Sequence, residues 1–330
     1  MSKGFKVGIA LGGGGARGFA HIGVIKALKA HSIPIDLITG TSMGAIVGAT
    51  YCLNPDVDAL ENKLLRTIDR PQIKKLESFF AITSEENHQN FIIQNLLSKI
   101  KDLCLWNLRA AKKWVVRTEP IVKVLEELFD DKKFSDLAIP FTSIAVDLNT
   151  ASEVAIKTGR ILDAILASSS IPGIFAPVKF GNHLLADGGV LSSVPARQAR
   201  IQGADFVIGI DINTSFPKKE LRTGLDVMFQ ADQIKTSYLN KLDLTYCDCV
   251  IKPNIVNVDW SEFSRGPFCI QQGELAALKN IAGIKSALTN KKRFYHLRRL
   301  FKRKNPSLLF TPLEKATHKV GGGKNIDIDA

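Results

Sequence analysis

Gly40-Thr41-Ser42-Met43-Gly44 sets a serine between two glycines, each two positions away. That spacing suits a nucleophile carried on a sharp strand-to-helix turn. The turn forces unusual backbone angles, and the flanking glycines remove side chains that would collide there. A serine hydroxyl is a weak nucleophile at neutral pH. It needs a base to take its proton and N–H donors aimed at the oxyanion that its attack creates. Met43, first residue of the following helix, offers one such N–H near the positive helix end. A second source lies upstream in Gly12-Gly13-Gly14-Gly15-Ala16-Arg17-Gly18, where Gly13, Gly14 and Gly15 can turn bare amides toward one anionic oxygen. Arg17 and Gly18 would steady that loop.

The base is the open question. A Ser-His-acid arrangement in the order usual for this elbow needs a histidine after the acid. His21, His31, His88 and His183 all come too early, and His296 and His318 fall in a basic C-terminal stretch. Asp187-Gly188-Gly189 ends an apolar run with small residues that permit close approach, so the Asp187 carboxylate is the candidate. Its ordinary alternative is an aspartate that forms a turn.

Two other chemistries compete for the glycine run. Gly13, Gly15 and Gly18 also fit Gly-x-Gly-x-x-Gly, but a dinucleotide site wants an acid at the end of the second strand. Asp36 stands near its start. A phosphate loop fails because Phe19 and Ala20 follow Gly18 where Lys and Ser/Thr are required. The five cysteines are irregularly spaced and pair with no histidines at zinc spacing. They read as reduced thiols in a cytoplasmic protein, and no metal or other cofactor is expected.

The elements that must hold these residues can be read from periodicity. Val7–Leu11, Ile35–Thr39, Phe141–Val146, Glu153–Ile156, Ile174–Phe180, His183–Ala186 and Phe206–Ile210 are expected strands. Arg17–Ala30, Met43–Leu53, Arg160–Ser168, Leu221–Leu239 and Gln272–Leu288 are expected helices. The β-α-β-α opening predicts a three-layer α/β/α fold with a mostly parallel central sheet. From about 55 to 133 the pattern turns helical, with aromatics at Phe79, Phe80, Phe91, Trp106 and Trp114, and reads as an insertion over the sheet. The expected organisation is one domain over 5–290 and a basic tail over 291–330, with 321–330 flexible.

Charge separates those two parts. Net charge is +12, and from Lys291 onward there are 11 Lys/Arg against 3 Asp/Glu. Lys291–Lys304 interleaves cations with Phe294, Leu297, Leu300 and Phe301 at near-helical spacing, a pattern that suits an anionic membrane surface. No nucleic-acid module accompanies the charge, so no nucleic-acid partner is expected. No run of 18 apolar residues and no signal-peptide pattern is present. The expectation is a cytoplasmic protein that visits the membrane periphery.

Taken together and in order, the glycine loop (Gly13 to Gly18), the Gly40–Gly44 elbow and Asp187-Gly188-Gly189 resemble the three signatures of bacterial patatin-like phospholipases. The stretch from Ala167 to Pro177 adds to the likeness, which spans roughly residues 5 to 285. The resemblance implies a patatin-like fold, a Ser42–Asp187 dyad without metal, and an acyl-enzyme route to cleavage of fatty-acyl esters. Phospholipids or lysophospholipids would be the substrates. The insertion and the tail fall outside it. Two rivals stand beside this reading: a catalytically silent lipid-binding or scaffold protein on the same fold, and a dinucleotide-binding enzyme.

Overall fold

The computed structural model describes residues 4–84, 116, 118–213, 224–304 and 324–326. The described strands are β1 (Val7–Leu11), β2 (Leu37–Thr41), β3 (Phe141–Asp147), β4 (Ser152–Ile156), β5 (Val178–Phe180), β6 (His183–Asp187), β7 (Phe206–Ile210), β8 (Cys249–Ile251) and β9 (Lys324–Ile326). They form a single mixed sheet whose main path runs β5-β6-β3-β2-β1-β7-β8. The strands from β3 through β2, β1 and β7 to β8 are parallel, whereas β4 and β6 pair with β3 in antiparallel fashion.

Alternation along the central strands puts apolar side chains on both faces, as a sheet covered on both sides requires. Val7, Ile9 and Leu11 of β1, with Phe206, Ile208 and Ile210 of β7, enter the larger core. Helices α1 (Ala20–Ala30), α2 (Met43–Leu53), α3 (Val57–Ile68) and the early part of the C-terminal helix close over it. Ala10, Leu37 and Val207 point the other way, onto α7 (Ala196–Ile201) and the C-terminal end of α8 (Gly224–Leu244). The remaining described helices are α4 (Pro71–Ser84), α5 (Glu119–Phe129), α6 (Ile161–Ser168) and α9 (Gly266–Lys304). The three-layer expectation therefore holds.

Individual limits differ from the sequence pattern for identifiable reasons. β2 lies two residues later than the apolar run suggests, because pairing Leu11 with Gly40 and Thr41 with Ile144 carries the strand into the glycine motif. The expected strand from Ile174 shrinks to Val178–Phe180 because the amides of Ile174 and Phe175 turn back to the Ile171 carbonyl. The first helix opens with a 3₁₀ turn over Gly15–Phe19. Of the aromatics in the 55–133 segment, Phe79 and Phe80 lie on α4 and pack edge to face. Phe91, Trp106 and Trp114 lie outside the described residues. The four described cysteines, Cys52, Cys247, Cys249 and Cys269, are free thiols.

α9 runs from one edge of the sheet to the other. Its first turns pack near Phe19 and Ala20, at the edge where the parallel strands end. At Lys291 it has reached the opposite edge. There Lys291 pairs with Asp248 and lies over the Phe206 ring, and Tyr295 packs edge to face on Phe5. Between Gly273 and Lys291 the helix rises about 27 Å at ~1.5 Å per residue. Among the described residues no helix is long and apolar enough to cross a membrane.

Candidate active site

β3 acts as a ruler for the site. Its residue Ile144 pairs with Thr41, the last residue of β2, and its residue Ala145 pairs with Asp187, the last residue of β6. Because β2 runs parallel and β6 antiparallel to β3, their C-terminal ends point at each other along the same side of it. Ser42 follows one end immediately, and Asp187 is the other. Two residues 145 positions apart in sequence thus meet across one step of strand register. The Ser42 side chain comes near enough to the Asp187 carboxylate to favour its charged form.

Each partner is held from behind. Ser42 has φ 54° and ψ −122°, a left-handed conformation that costs a non-glycine residue ~1–3 kcal/mol. The elbow glycines make it possible. A Cβ on Gly40 would lie 2.5 Å from the Gly44 carbonyl oxygen, and one on Gly44 would lie 2.3 Å from that of Leu11. Ser42 N–H donates to Ser168 Oγ at 2.9 Å, and Ser168 Oγ donates onward to the Ile144 carbonyl at 2.6 Å. Asp187 receives the Gly189 N–H at 2.7 Å, while its own N–H donates to the Ser170 carbonyl at 3.0 Å. Ser42 is 8% exposed and Asp187 6%. Burial pushes the Asp187 pKa up to about 6, against the downward pull of the Gly189 hydrogen bond and the nearby Ser42 side chain.

Ser168 lies in the family-like stretch from Ala167 to Pro177, but motif reading gives it no role. Ser168→Ala would leave the Ser42 N–H and the Ile144 carbonyl unpaired in a buried space, and a lost buried partner costs about 1–3 kcal/mol. The expected result is a lower Tm in thermal unfolding. An unchanged Tm would show that the Ser168 bonds contribute nothing to holding the elbow.

The glycine loop lies against the elbow. A Cβ on Gly13 would lie 3.3 Å from Ser42 Cβ, and one on Gly18 would overlap the Met43 side chain. Gly15 has φ 57°, and a Cβ there would strike the Trp260 carbonyl oxygen at 2.2 Å, so only glycine fits. Arg17 Nε donates to the Gly14 carbonyl at 3.3 Å, which braces the loop. The Gly13 N–H, grouped by sequence with the oxyanion donors, instead donates to the Ser193 carbonyl at 3.0 Å. A pre-existing strong acceptor holds it, so it is not poised for a substrate oxygen. Ala16 N–H is likewise engaged, with Trp260. The N–H groups of Gly14, Gly15 and Met43 have no acceptor among the described residues.

Among the described residues, histidines take no part in this constellation. His21 Nε2 lies 2.7 Å from the Gly12 carbonyl, and burial pushes its pKa down to about 4, which keeps it neutral and makes Nε2–H the donor. His31 bonds Ala27, His183 pairs with Asp147, and His296 packs on Tyr295 at the far edge of the sheet. His88 and His318 lie outside the described residues. Asp36, the acid that a dinucleotide reading would need, accepts the Val7 N–H at 2.7 Å and so stands at the opposite edge from the glycine loop. Among the described residues no three His, Cys, Asp or Glu side chains gather as a metal-binding set. A cleft of about 220 Å³ lined by Lys6, Leu37, Phe141 and Lys157 also opens at that opposite edge.

Several known proteins are similar to this chain. Residues 9–200 match the family model described as patatin-like phospholipase. An uncharacterized NTE family protein of Mycobacterium tuberculosis is 32% identical over 210 residues, covering 64% of this chain and 50% of that protein. The human patatin-like phospholipase domain-containing protein 6 is 29% identical, covering 79% of this chain but 18% of its own length. The chain thus spans half or less of the length of these curated relatives. Among solved structures, VipD from Legionella pneumophila aligns with a TM-score of 0.43 at 14% identity, covering 86% of this chain and 67% of that one. With the family model spanning more than half of its residues, the chain belongs to the patatin-like phospholipase family.

Proposed function

We propose that the protein is a serine lipid acyl hydrolase that cleaves fatty-acyl esters of phospholipids or lysophospholipids through an acyl-enzyme on Ser42. The observation that carries this reading is the placement of a strained Ser42 and a buried Asp187 carboxylate at facing strand ends, one step of β3 register apart. A binding or scaffold protein has no use for a strained serine beside a buried carboxylate and unengaged amides.

In the proposed reaction Ser42 Oγ bonds to the acyl carbon as its proton passes to Asp187. The N–H groups of Gly14, Gly15 and Met43 receive the oxyanion of the tetrahedral intermediate. Collapse breaks the ester bond, and Asp187 returns its proton to the departing alcohol. Water then gives a proton to Asp187 and attacks the acyl-enzyme, and the second collapse frees the fatty acid and restores the Ser42 hydroxyl. No cofactor enters any step.

Asp187 must be ionised to accept the first proton. With its pKa raised to about 6 by burial, kcat/KM on a water-soluble ester should rise with pH and be half-maximal near pH 6. A profile that stays flat down to pH 4 would refute the assignment of this base.

The basic end of α9 is proposed as a contact for anionic lipid. Arg293, Phe294 and Leu297 are exposed there, Phe294 by 76%. Because this end projects from the edge opposite Ser42, it would tether the enzyme rather than seat the catalytic mouth. Arg293→Glu combined with Phe294→Asp should weaken sedimentation with anionic vesicles by roughly tenfold or more, at ~1 kcal/mol per surface cation. Hydrolysis of a soluble ester should stay within about twofold. Equal vesicle binding by variant and wild type would remove the tether.

A further inference from the structure

Behind the catalytic loops lies a buried polar frame that the proposed reaction does not use. Its centre is the dipeptide Ser192-Ser193, which follows Asp187 by five residues. Both residues are buried. Their carbonyls face the reaction loops: that of Ser192 accepts the Thr41 hydroxyl at 3.0 Å, and that of Ser193 accepts the Gly13 N–H at 3.0 Å. Their hydroxyls face away. Ser192 Oγ donates to Asp243 on α8, and Ser193 Oγ accepts from Asn213 Nδ2 at 2.8 Å. Asn213 also bonds Asp211 at 3.1 Å, which receives Asn240 Nδ2 from α8 at the same distance.

One dipeptide therefore registers both halves of the site. Thr41 immediately precedes the nucleophile, and Gly13 immediately precedes the first unengaged amide. The two carbonyls that hold them belong to adjacent residues, so a rotation of the dipeptide would move the glycine loop relative to the elbow. A serine side chain is a single rotatable bond long. Fixing its hydroxyl accordingly restricts the backbone that carries it.

We propose that Asp243 is a positioning residue, which by holding the Ser192 hydroxyl keeps the Ser192-Ser193 carbonyls in register with Thr41 and Gly13. The proposal rests on the Ser42 hydrolase reading for its catalytic consequence, though not for its geometry. Asp243 bonds Ser192 and feels the charges of Glu153 and Arg197, which pair with each other; Glu153 also accepts from Gln198. Burial pushes the Asp243 pKa up to about 7. Either protonation state leaves a carbonyl-type oxygen to accept from Ser192, so asparagine is the conservative replacement and alanine the disruptive one.

The test combines residue-resolved amide exchange with turnover of a water-soluble p-nitrophenyl ester. In Asp243→Ala the Gly13 amide should exchange at least about tenfold faster, whereas Gly12, whose N–H bonds the Ile210 carbonyl, should not change. Turnover should lose roughly 10- to 100-fold in kcat with KM within about twofold, since misplacement of reacting groups acts on the chemical step. Asp243→Asn should recover the Gly13 protection and most of kcat. Ser192→Ala, which removes the hydroxyl without touching α8, should reproduce the loosened Gly13 and serves if Asp243→Ala does not fold. Unchanged Gly13 exchange in Ser192→Ala, or an asparagine variant as impaired as the alanine one, overturns the proposal. A wild-type protein without Ser42-dependent turnover would instead overturn the hydrolase reading, and the exchange data would still decide the positioning role.

Discussion

Ser42→Ala is expected to abolish covalent labelling by a fluorophosphonate and to reduce ester hydrolysis by roughly 10⁴- to 10⁶-fold, the scale seen when a serine nucleophile is removed. The labelling experiment is the sharper of the two. A fluorophosphonate reacts only with a serine that has both a base to deprotonate it and donors to hold the developing charge, so it reports the whole constellation. Substitution leaves the surroundings nearly intact. Alanine keeps the Cβ, and the backbone bond to Ser168 uses the Ser42 N–H, which alanine also has. The fold and Tm should change little, which separates chemical from structural loss. Labelling that persists in Ser42→Ala would place the nucleophile elsewhere and remove the dyad altogether.

The residues proposed to carry the chemistry are legible in the sequence because their signals are local. Gly40 to Gly44 and Asp187 to Gly189 each announce a turn through residue type, and β1 and β7 appear with the limits that their apolar runs suggest. What joins the two motifs is not legible. The meeting of β2 and β6 depends on β3 pairing with one in parallel and the other in antiparallel sense, a choice made by tertiary packing. Backbone donors present a similar difficulty. Gly13, Gly14 and Gly15 are identical in type, and only the neighbouring Ser193 carbonyl distinguishes the engaged amide from the others. Ser168, Ser192 and Ser193 look like ordinary small polar residues until their carbonyl and hydroxyl partners are seen. β8 leaves no sequence signal because three residues, Cys249–Ile251, give too little alternation to read. The course of α9 is hidden for a different reason. Amphipathic spacing gives a helix its buried stripe but not the edge of the sheet toward which it runs, and that edge decides whether the basic end faces Ser42.

Asp187→Asn should separate activity from stability by moving them in opposite directions. The amide is nearly isosteric. Its oxygen can accept the Gly189 N–H as the carboxylate does, and its NH₂ can bond the Ser42 oxygen, but it cannot take the Ser42 proton. kcat should therefore fall by roughly 10⁴-fold, the magnitude associated with losing a triad carboxylate, with little change in KM. Stability follows the reverse sign. The folded-state pKa of about 6 lies above the ordinary aspartate value of 3.8, so between those values native Asp187 holds a proton that the unfolded chain has released. Stability then falls as pH rises through that window, and above pH 6 the buried charge imposes its full cost, on the order of 2–3 kcal/mol. Asparagine carries no such charge. Asp187→Asn should thus unfold at a higher temperature than wild type at pH 8 and at a similar one at pH 4. A variant that is less stable than wild type at pH 8 would mean that the carboxylate is better solvated than its buried position implies. The base would then lack the raised affinity for a proton on which the proposed transfer from Ser42 depends.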